Sequence, residues 1–166
     1  VKILKDYLTE ENYQRIFDAV YSKDFPWHRD KIVNPMMLDE FPLLCHPRHN
    51  FQFTHILYAN KKSSEHIAVI KPFLERLEAS TIRSIKLNYN YPTDEIIEHC
   101  YHVDIFEPYK IGVYYLNTTD GYTKFRNGFK VSGEKNKFVT FDSSEYHTGT
   151  SCTTPEGRIV LNVVYN

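Results

Sequence analysis

"CYHVDIFEPYKIGVYYLN", residues 100–117, carries two different signals side by side. From Ile111 onward it is apolar and rich in β-branched and aromatic residues, which predicts a strand. Just upstream, "CYHVD" also reads as a short strand and sets His102 and Asp104 two residues apart. Side chains at i and i+2 of a strand share a face. This imidazole and this carboxylate are therefore expected to point the same way and could serve one metal ion. Two ligands hold a catalytic metal poorly, so a third must arrive from elsewhere. His147 in "DSSEYHTGTSC", after the strand-like "KFVTFD", is the best candidate. Two histidines and one carboxylate on one face of an octahedron leave positions open for chemistry.

Working outward, the chain after residue 81 is a series of short strand-like runs. These are "TIRSIKLNYNY", "NGFKVS", "KFVTFD", "HTGTSC" and "GRIVLNVVYN", besides the two already quoted. Turn signals such as "TTDGY", "RNG", "SGEKN" and "TPEG" separate them, a rhythm that predicts a sandwich or barrel. Residues 9–22 predict a helix capped by Thr9, with Tyr13, Ile16, Phe17 and Val20 at helical spacing. "NFQFTHILY" alternates as a strand with Phe51, Phe53 and His55 on one face. "SSEHIAVIKPFLERLEAS" predicts a second helix, capped by Ser63 or Ser64 and interrupted at Pro72. The expectation is one domain over residues 1–166, with a helical and irregular support region over 1–80 and an all-β core over 81–166.

The bulk numbers fit that picture. Of 166 residues 42% are hydrophobic and 15% aromatic, enough for a sizeable core. A net charge of -1 gives no reason to expect nucleic acid as a partner. No apolar run is long enough to span a bilayer and no leader pattern is present, so a cytoplasmic protein is expected. Three cysteines, Cys45, Cys100 and Cys152, argue against a disulfide framework and for a reducing compartment. Eight histidines create competing pairs, His46/His49 in "HPRH" and His99/His102 in "HCYH". An i, i+3 pair suits a helix, and neither stretch reads as one; His99 is better placed as a neighbour of the metal pair. On these grounds alone two alternatives stay open. One is a cupin-like metalloprotein with a different metal reaction; the other is a non-catalytic β-sandwich binding module with ordinary surface histidines.

Arg158 adds a further constraint. It opens the apolar run "RIVLNVVY", and a guanidinium entering an apolar strand is costly unless it meets an anion. Its fork suits a carboxylate held through two hydrogen bonds. Taken in order, His-x-Asp, "YYLN", "GYTKF", the distal His147 and an Arg at a strand start resemble the 2-oxoglutarate- and Fe(II)-dependent oxygenases. Within them the chain is most similar to the prolyl 4-hydroxylase-like branch, including small versions from phages and bacteria. The resemblance spans residues 82–166.

It implies an α+β, mainly β chain: a double-stranded β-helix (jelly-roll, cupin-like) core with N-terminal helices packed against one sheet. It implies that His102, Asp104 and His147 bind Fe(II) and form the catalytic set. Arg158 would pair with the distal carboxylate of 2-oxoglutarate, Tyr115 would donate its hydroxyl to that carboxylate, and Tyr91 in "NYP" would face the co-substrate. Thr123 would line the pocket. The implied reaction is hydroxylation of a C–H bond by O2, with 2-oxoglutarate converted to succinate and CO2 and ascorbate as an accessory reductant. A proline-containing peptide is the substrate favoured by analogy. One departure stands out: Asp120-Gly121 replaces the two glycines common in relatives. Asp104 itself favours hydroxylation over halogenation, which would need a small residue there.

Overall fold

The computed structural model describes residues 1–32 and 51–166 of the chain. Cys45 and the His46/His49 pair lie outside the described residues. The elements are β1 (Lys2–Leu4), α1 (Glu10–Tyr21), β2 (His28–Asp30), β3 (Gln52–Ala59) and β4 (Lys62–Ser63). A 3-10 helix (Glu65–Ile70) runs into α2 (Lys71–Arg76). There follow β5 (Ile82–Asn90), β6 (Lys110–Tyr115), β7 (Tyr122–Phe125), β8 (Lys130–Ser132), β9 (Lys137–Asp142), β10 (His147–Gly149) and β11 (Arg158–Tyr165).

The helix at residues 10–21 forms where its spacing predicts. Thr9 accepts a hydrogen bond from the Asn12 amide at 3.3 Å, and Glu10 and Glu11 occupy the positive end of the helix dipole. Tyr13, Ile16 and Val20 form its buried stripe. The second helix differs from expectation. Ser64 caps it, but residues 65–70 are 3-10, and the α-helix begins only at Lys71 with Pro72 in its first turn. Proline lacks the N–H that an interior position must donate, so it marks the start of an α-helix and splits the segment in two.

Two antiparallel sheets face one another. The larger runs β1-β9-β6-β11-β5-β3-β2 with β4 beside β3, and the smaller runs β10-β7-β8. β11 is central, pairing with β5 on one side and β6 on the other. Alternation along it decides both faces. Ile159, Leu161 and Val163 join a core with Ile16, Val20 and Phe73 from the helices. Val160 and Val164 turn the other way, packing with Val113, Val139, Phe125 and Val131 between the sheets. This is a double-stranded β-helix with helices on one face of its larger sheet.

The boundary expected at residue 81 does not divide the layers. β1, β2 and β3 all belong to the larger sheet, because β3 pairs with β5 along most of its length and β1 pairs with β9. Within β3, Phe53, His55 and Leu57 face the helices, while Gln52 and Thr54 face the barrel interior, Thr54 in register with Asn88 and Gln52 accepting from the Asn90 side chain at 3.4 Å. "CYHVD" forms no strand; His102 makes a single bridge to His147. Cys100 is disulfide-bonded, a cross-link the cysteine count did not lead us to expect, whereas Cys152 is free and buried. No helix among the described residues is long and apolar enough to cross a membrane.

Candidate active site

The segment from Thr93 to His102 runs beside residues 147–152 as a broken ladder. His99 N donates to Gly149 O at 3.1 Å and Ser151 N to Ile97 O at 3.0 Å. The ladder closes at the two histidines, where His102 N donates to His147 O at 2.9 Å and His147 N to His102 O at 3.1 Å. That reciprocal pair, and not a shared strand face, brings His102 and His147 together, with ring centroids 4.7 Å apart. Asp104 lies beyond the bridge and turns its carboxylate between the rings. Oδ1 is 3.7 Å from His102 Nε2, and Oδ2 is 3.6 Å from His147 Nε2.

One ligand atom from each of the three lies within 4.8 Å of the others, a spacing that could hold a metal ion. The tautomers suit ligation. His102 Nδ1 is 3.0 Å from Cys100 O and His147 Nδ1 is 3.0 Å from Glu145 O. A carbonyl accepts only from N–H, so each ring keeps a proton on Nδ1, and its Nε2, the nitrogen nearer Asp104, is the one left to ligate when the ring is neutral. Asp104 Oδ2 is buried without a hydrogen-bond partner, an expense that a metal ion would remove. Burial works against charge on Asp104, yet the adjoining His102 and His147 hold its carboxyl well below the usual carboxylate range. Burial also opposes protonation of His102, but Asp104 outweighs it and the pKa rises. For His147 burial prevails and the pKa falls.

Arg158 is 3% exposed. Nη1 donates to Asn90 Oδ1 at 3.3 Å and Nη2 to Thr123 Oγ1 at 3.2 Å, while Nε has no partner. No carboxylate among the described residues pairs with it. A buried, unpaired cation is costly, and a carboxylate entering the cavity would remove the cost. Thr123 Oγ1 also accepts the Tyr115 hydroxyl at 2.8 Å. With both donors on its oxygen, Thr123 has its own proton left to give. The Tyr115 ring lies under the guanidinium, 5.4 Å from it, and burial keeps its hydroxyl protonated.

Gly121 lets this end of the site close. A Cβ there would stand 2.9 Å from Arg158 Cδ and 2.7 Å from Ser151 O. Its neighbour Asp120 accepts from the Thr153 amide at 2.9 Å and from the Thr153 hydroxyl, fixing the loop that precedes β11. The departure from a second glycine thus supplies an anchor.

These groups share one cavity of about 60 Å3, lined by His102, Asp104, His147, Thr123 and Arg158. Tyr91 is not among its lining residues and stacks on Phe51 with centroids 4.6 Å apart. Its neighbour Asn90, the last residue of β5, points into the cavity instead. Sequence reasoning missed Lys86, Asn88, Asn90 and Asn162, which also line the cavity. The pattern Lys-Leu-Asn-Tyr-Asn of β5 is a clean alternation whose polar face reads as solvent-exposed; here that face is the barrel interior.

No protein-family model matches the sequence, and no curated protein matches it either. Solved structures do. A 2OG-Fe(II) oxygenase family oxidoreductase from Burkholderia pseudomallei superposes with a TM-score of 0.66 at 11% identity, over 99% of this chain and 84% of that one. A Trichoplax adhaerens prolyl hydroxylase, solved with a hypoxia inducible factor peptide fragment, gives 0.65 at 11% identity, over 99% and 82%. A Pseudomonas putida prolyl-4-hydroxylase gives 0.62 at 12%, over 99% and 91%. At these identities the likeness establishes the fold: the chain folds as the prolyl hydroxylases do.

Proposed function

We propose that this protein is a non-haem Fe(II)- and 2-oxoglutarate-dependent oxygenase that hydroxylates a C–H bond. One observation carries the reading. Two histidines with Nδ1 on backbone carbonyls and an ionised carboxylate converge within 4.8 Å, in the same cavity as a buried arginine that has no carboxylate partner among the described residues. A metal site alone would not need Arg158, and a binding module would need neither. When bound, Fe(II) and 2-oxoglutarate supply the oxidising chemistry, converting O2 and the co-substrate to succinate, CO2 and a hydroxylated product.

The chain's own residues bind and orient. His102, Asp104 and His147 would hold the metal, and three protein ligands would leave positions open for the co-substrate. Arg158 receives the distal carboxylate of 2-oxoglutarate, with Thr123 donating its free proton beside it and Tyr115 holding Thr123 in place. The apolar wall of Val113 and Val160 keeps water from the reacting end. A prolyl residue in a peptide is the proposed target, by likeness to a prolyl hydroxylase solved with a peptide fragment.

An anaerobic titration tests the reading. Fe(II) and 2-oxoglutarate together should produce a visible charge-transfer band that neither gives alone. Iron binding without the band would point to a different metal reaction, and absence of iron binding would point to a binding module.

A further inference from the structure

We propose that Lys86, flanked by Asn88 and Asn162, forms a carboxylate-binding subsite for the molecule being oxidised. The substrate then carries a carboxylate close to the reacting C–H bond. This rests on the oxygenase reading and adds the substrate's chemical class.

Strand register places the subsite. Arg158 pairs with Asn90, Val160 with Asn88 and Asn162 with Lys86. Arg158 and Lys86 therefore stand at opposite ends of one inward-facing stripe, about 13 Å apart at the usual rise per residue. The arginine end suits the distal carboxylate of the co-substrate. At the other end Lys86 lines the same cavity as His102, Asp104 and His147. Lys86, Asp104 and Asn162 also line a second cavity of about 190 Å3, walled by Ile56, Tyr58 and Val164. Space for a second molecule thus begins where the lysine is.

Lys86 makes no hydrogen bond or ion pair among the described residues, although it faces both cavities. On either side of it the amide oxygens of Asn88 and Asn162 are buried and have no hydrogen-bond partner. Asn88 is 5% exposed. An asparagine amide can turn its NH2 toward an anion, so these two groups and the ammonium form an incomplete set of donors.

Charge completes the case. The cavity's fixed charges among the described residues are Asp104, Arg158 and Lys86. A divalent metal would be matched by Asp104 and one carboxylate of the co-substrate, and Arg158 by the other carboxylate. One positive charge is left over. A neutral substrate would bury it unpaired, whereas a monocarboxylate would neutralise it. A role for Lys86 as counter-ion to Asp104 does not account for this, because the bound metal already serves Asp104.

The test uses the Fe(II)- and 2-oxoglutarate-loaded protein with two probe sets. One is the free L-amino acids against their amides; the other is N-acetylated prolyl peptides ending in a carboxylate against the same peptides amidated. Readouts are anaerobic binding by calorimetry, and succinate with a one-oxygen mass gain under air. At least one acid should bind and react, with its amide at least tenfold poorer; which set contains it distinguishes a free acid from a peptide terminus. Lys86→Met should raise KM for that acid by about tenfold or more, as loss of a half-buried charge partner does, with a smaller change in kcat. Lys86→Arg should restore it, and the affinity for 2-oxoglutarate should hold in both variants. Amides equal to acids, or no acid bound, would overturn the proposal. So would a Lys86→Met variant that weakens 2-oxoglutarate as much as the acid, which would assign Lys86 to the co-substrate. Failure of the oxygenase reading has its own signature, the absence of metal-dependent 2-oxoglutarate binding in the unaltered protein.

Discussion

Replacing Arg158 with methionine separates stability from binding in a way few other changes would. The guanidinium is 3% exposed and is held by two neutral hydrogen bonds, at 3.3 Å to Asn90 and 3.2 Å to Thr123. Methionine loses those bonds, worth about 1 kcal/mol each, but also removes a buried charge that has no carboxylate partner among the described residues. The two effects oppose, so the ligand-free variant should lie within about 2 kcal/mol of the unaltered protein. Binding should behave otherwise. Loss of one partner from a buried charge pair costs about 2–5 kcal/mol, or roughly 30- to 4000-fold in Kd.

The assay is thermal melting with Mn(II) in excess and 2-oxoglutarate at about a hundred times its Kd for the unaltered protein, where ligand stabilises by about 2.7 kcal/mol. For a chain of this length that is a rise in Tm of about 5–11 °C. In Arg158→Met the same concentration should contribute about 0.9 kcal/mol or less, a shift of at most about 4 °C. Equal shifts in both proteins would refute the assignment of Arg158 to the co-substrate. A ligand-free variant that fails to fold would refute the claim that its charge is a burden.

His147→Ala should lose metal binding and 2-oxoglutarate turnover together, measured by Mn(II) calorimetry and succinate release; full succinate production would remove His147 from the ligand set. Metal affinity should fall with acid. Ligation needs neutral imidazole, and Asp104 raises the pKa of His102 above its ordinary 6.5. The loss should therefore begin above pH 6.5 as pH drops, with Asp104 still ionised because its own pKa is depressed. Calorimetry at pH 8 and pH 6 checks this, and equal affinities would argue against imidazole ligands. Away from the site, Asn136 accepts from Leu8 N and the Tyr114 hydroxyl and donates to Leu8 O, each at 2.8 Å. Asn136→Ala leaves those buried groups unpaired at a backbone φ of 59°, costing about 3–5 kcal/mol, seen as a Tm lower by about 6–20 °C. An unchanged Tm would show that water replaces the asparagine.

The legible parts of the molecule are those set by local chemistry. The α1 helix was readable from Thr9 and the Tyr13-Ile16-Val20 stripe because cap and periodicity agree. His102, Asp104, His147 and Arg158 were readable as an ordered set, although the reason given for the first pair was wrong. No strand holds His102 and Asp104; a two-bond bridge to His147 does, and such a bridge leaves no periodic trace. Parity explains the rest. At the end of β5 a one-residue offset separates Tyr91, just past the strand and stacked on Phe51, from Asn90, its last residue, which meets Arg158. Period-two alternation also cannot distinguish a face turned to water from one turned into a polar barrel, which hid Lys86, Asn88 and Asn162. β1 and β2, three residues each, are too short to show a pattern, and their membership of the larger sheet depends on distant partners.

A crystal structure grown anaerobically with Fe(II) and 2-oxoglutarate tests the central claim most directly. The expected result is one iron bonded to His102 Nε2, an Asp104 carboxylate oxygen and His147 Nε2, with the distal carboxylate of 2-oxoglutarate on the Arg158 guanidinium. Iron held by any other set of side chains, or 2-oxoglutarate bound away from Arg158, would contradict it.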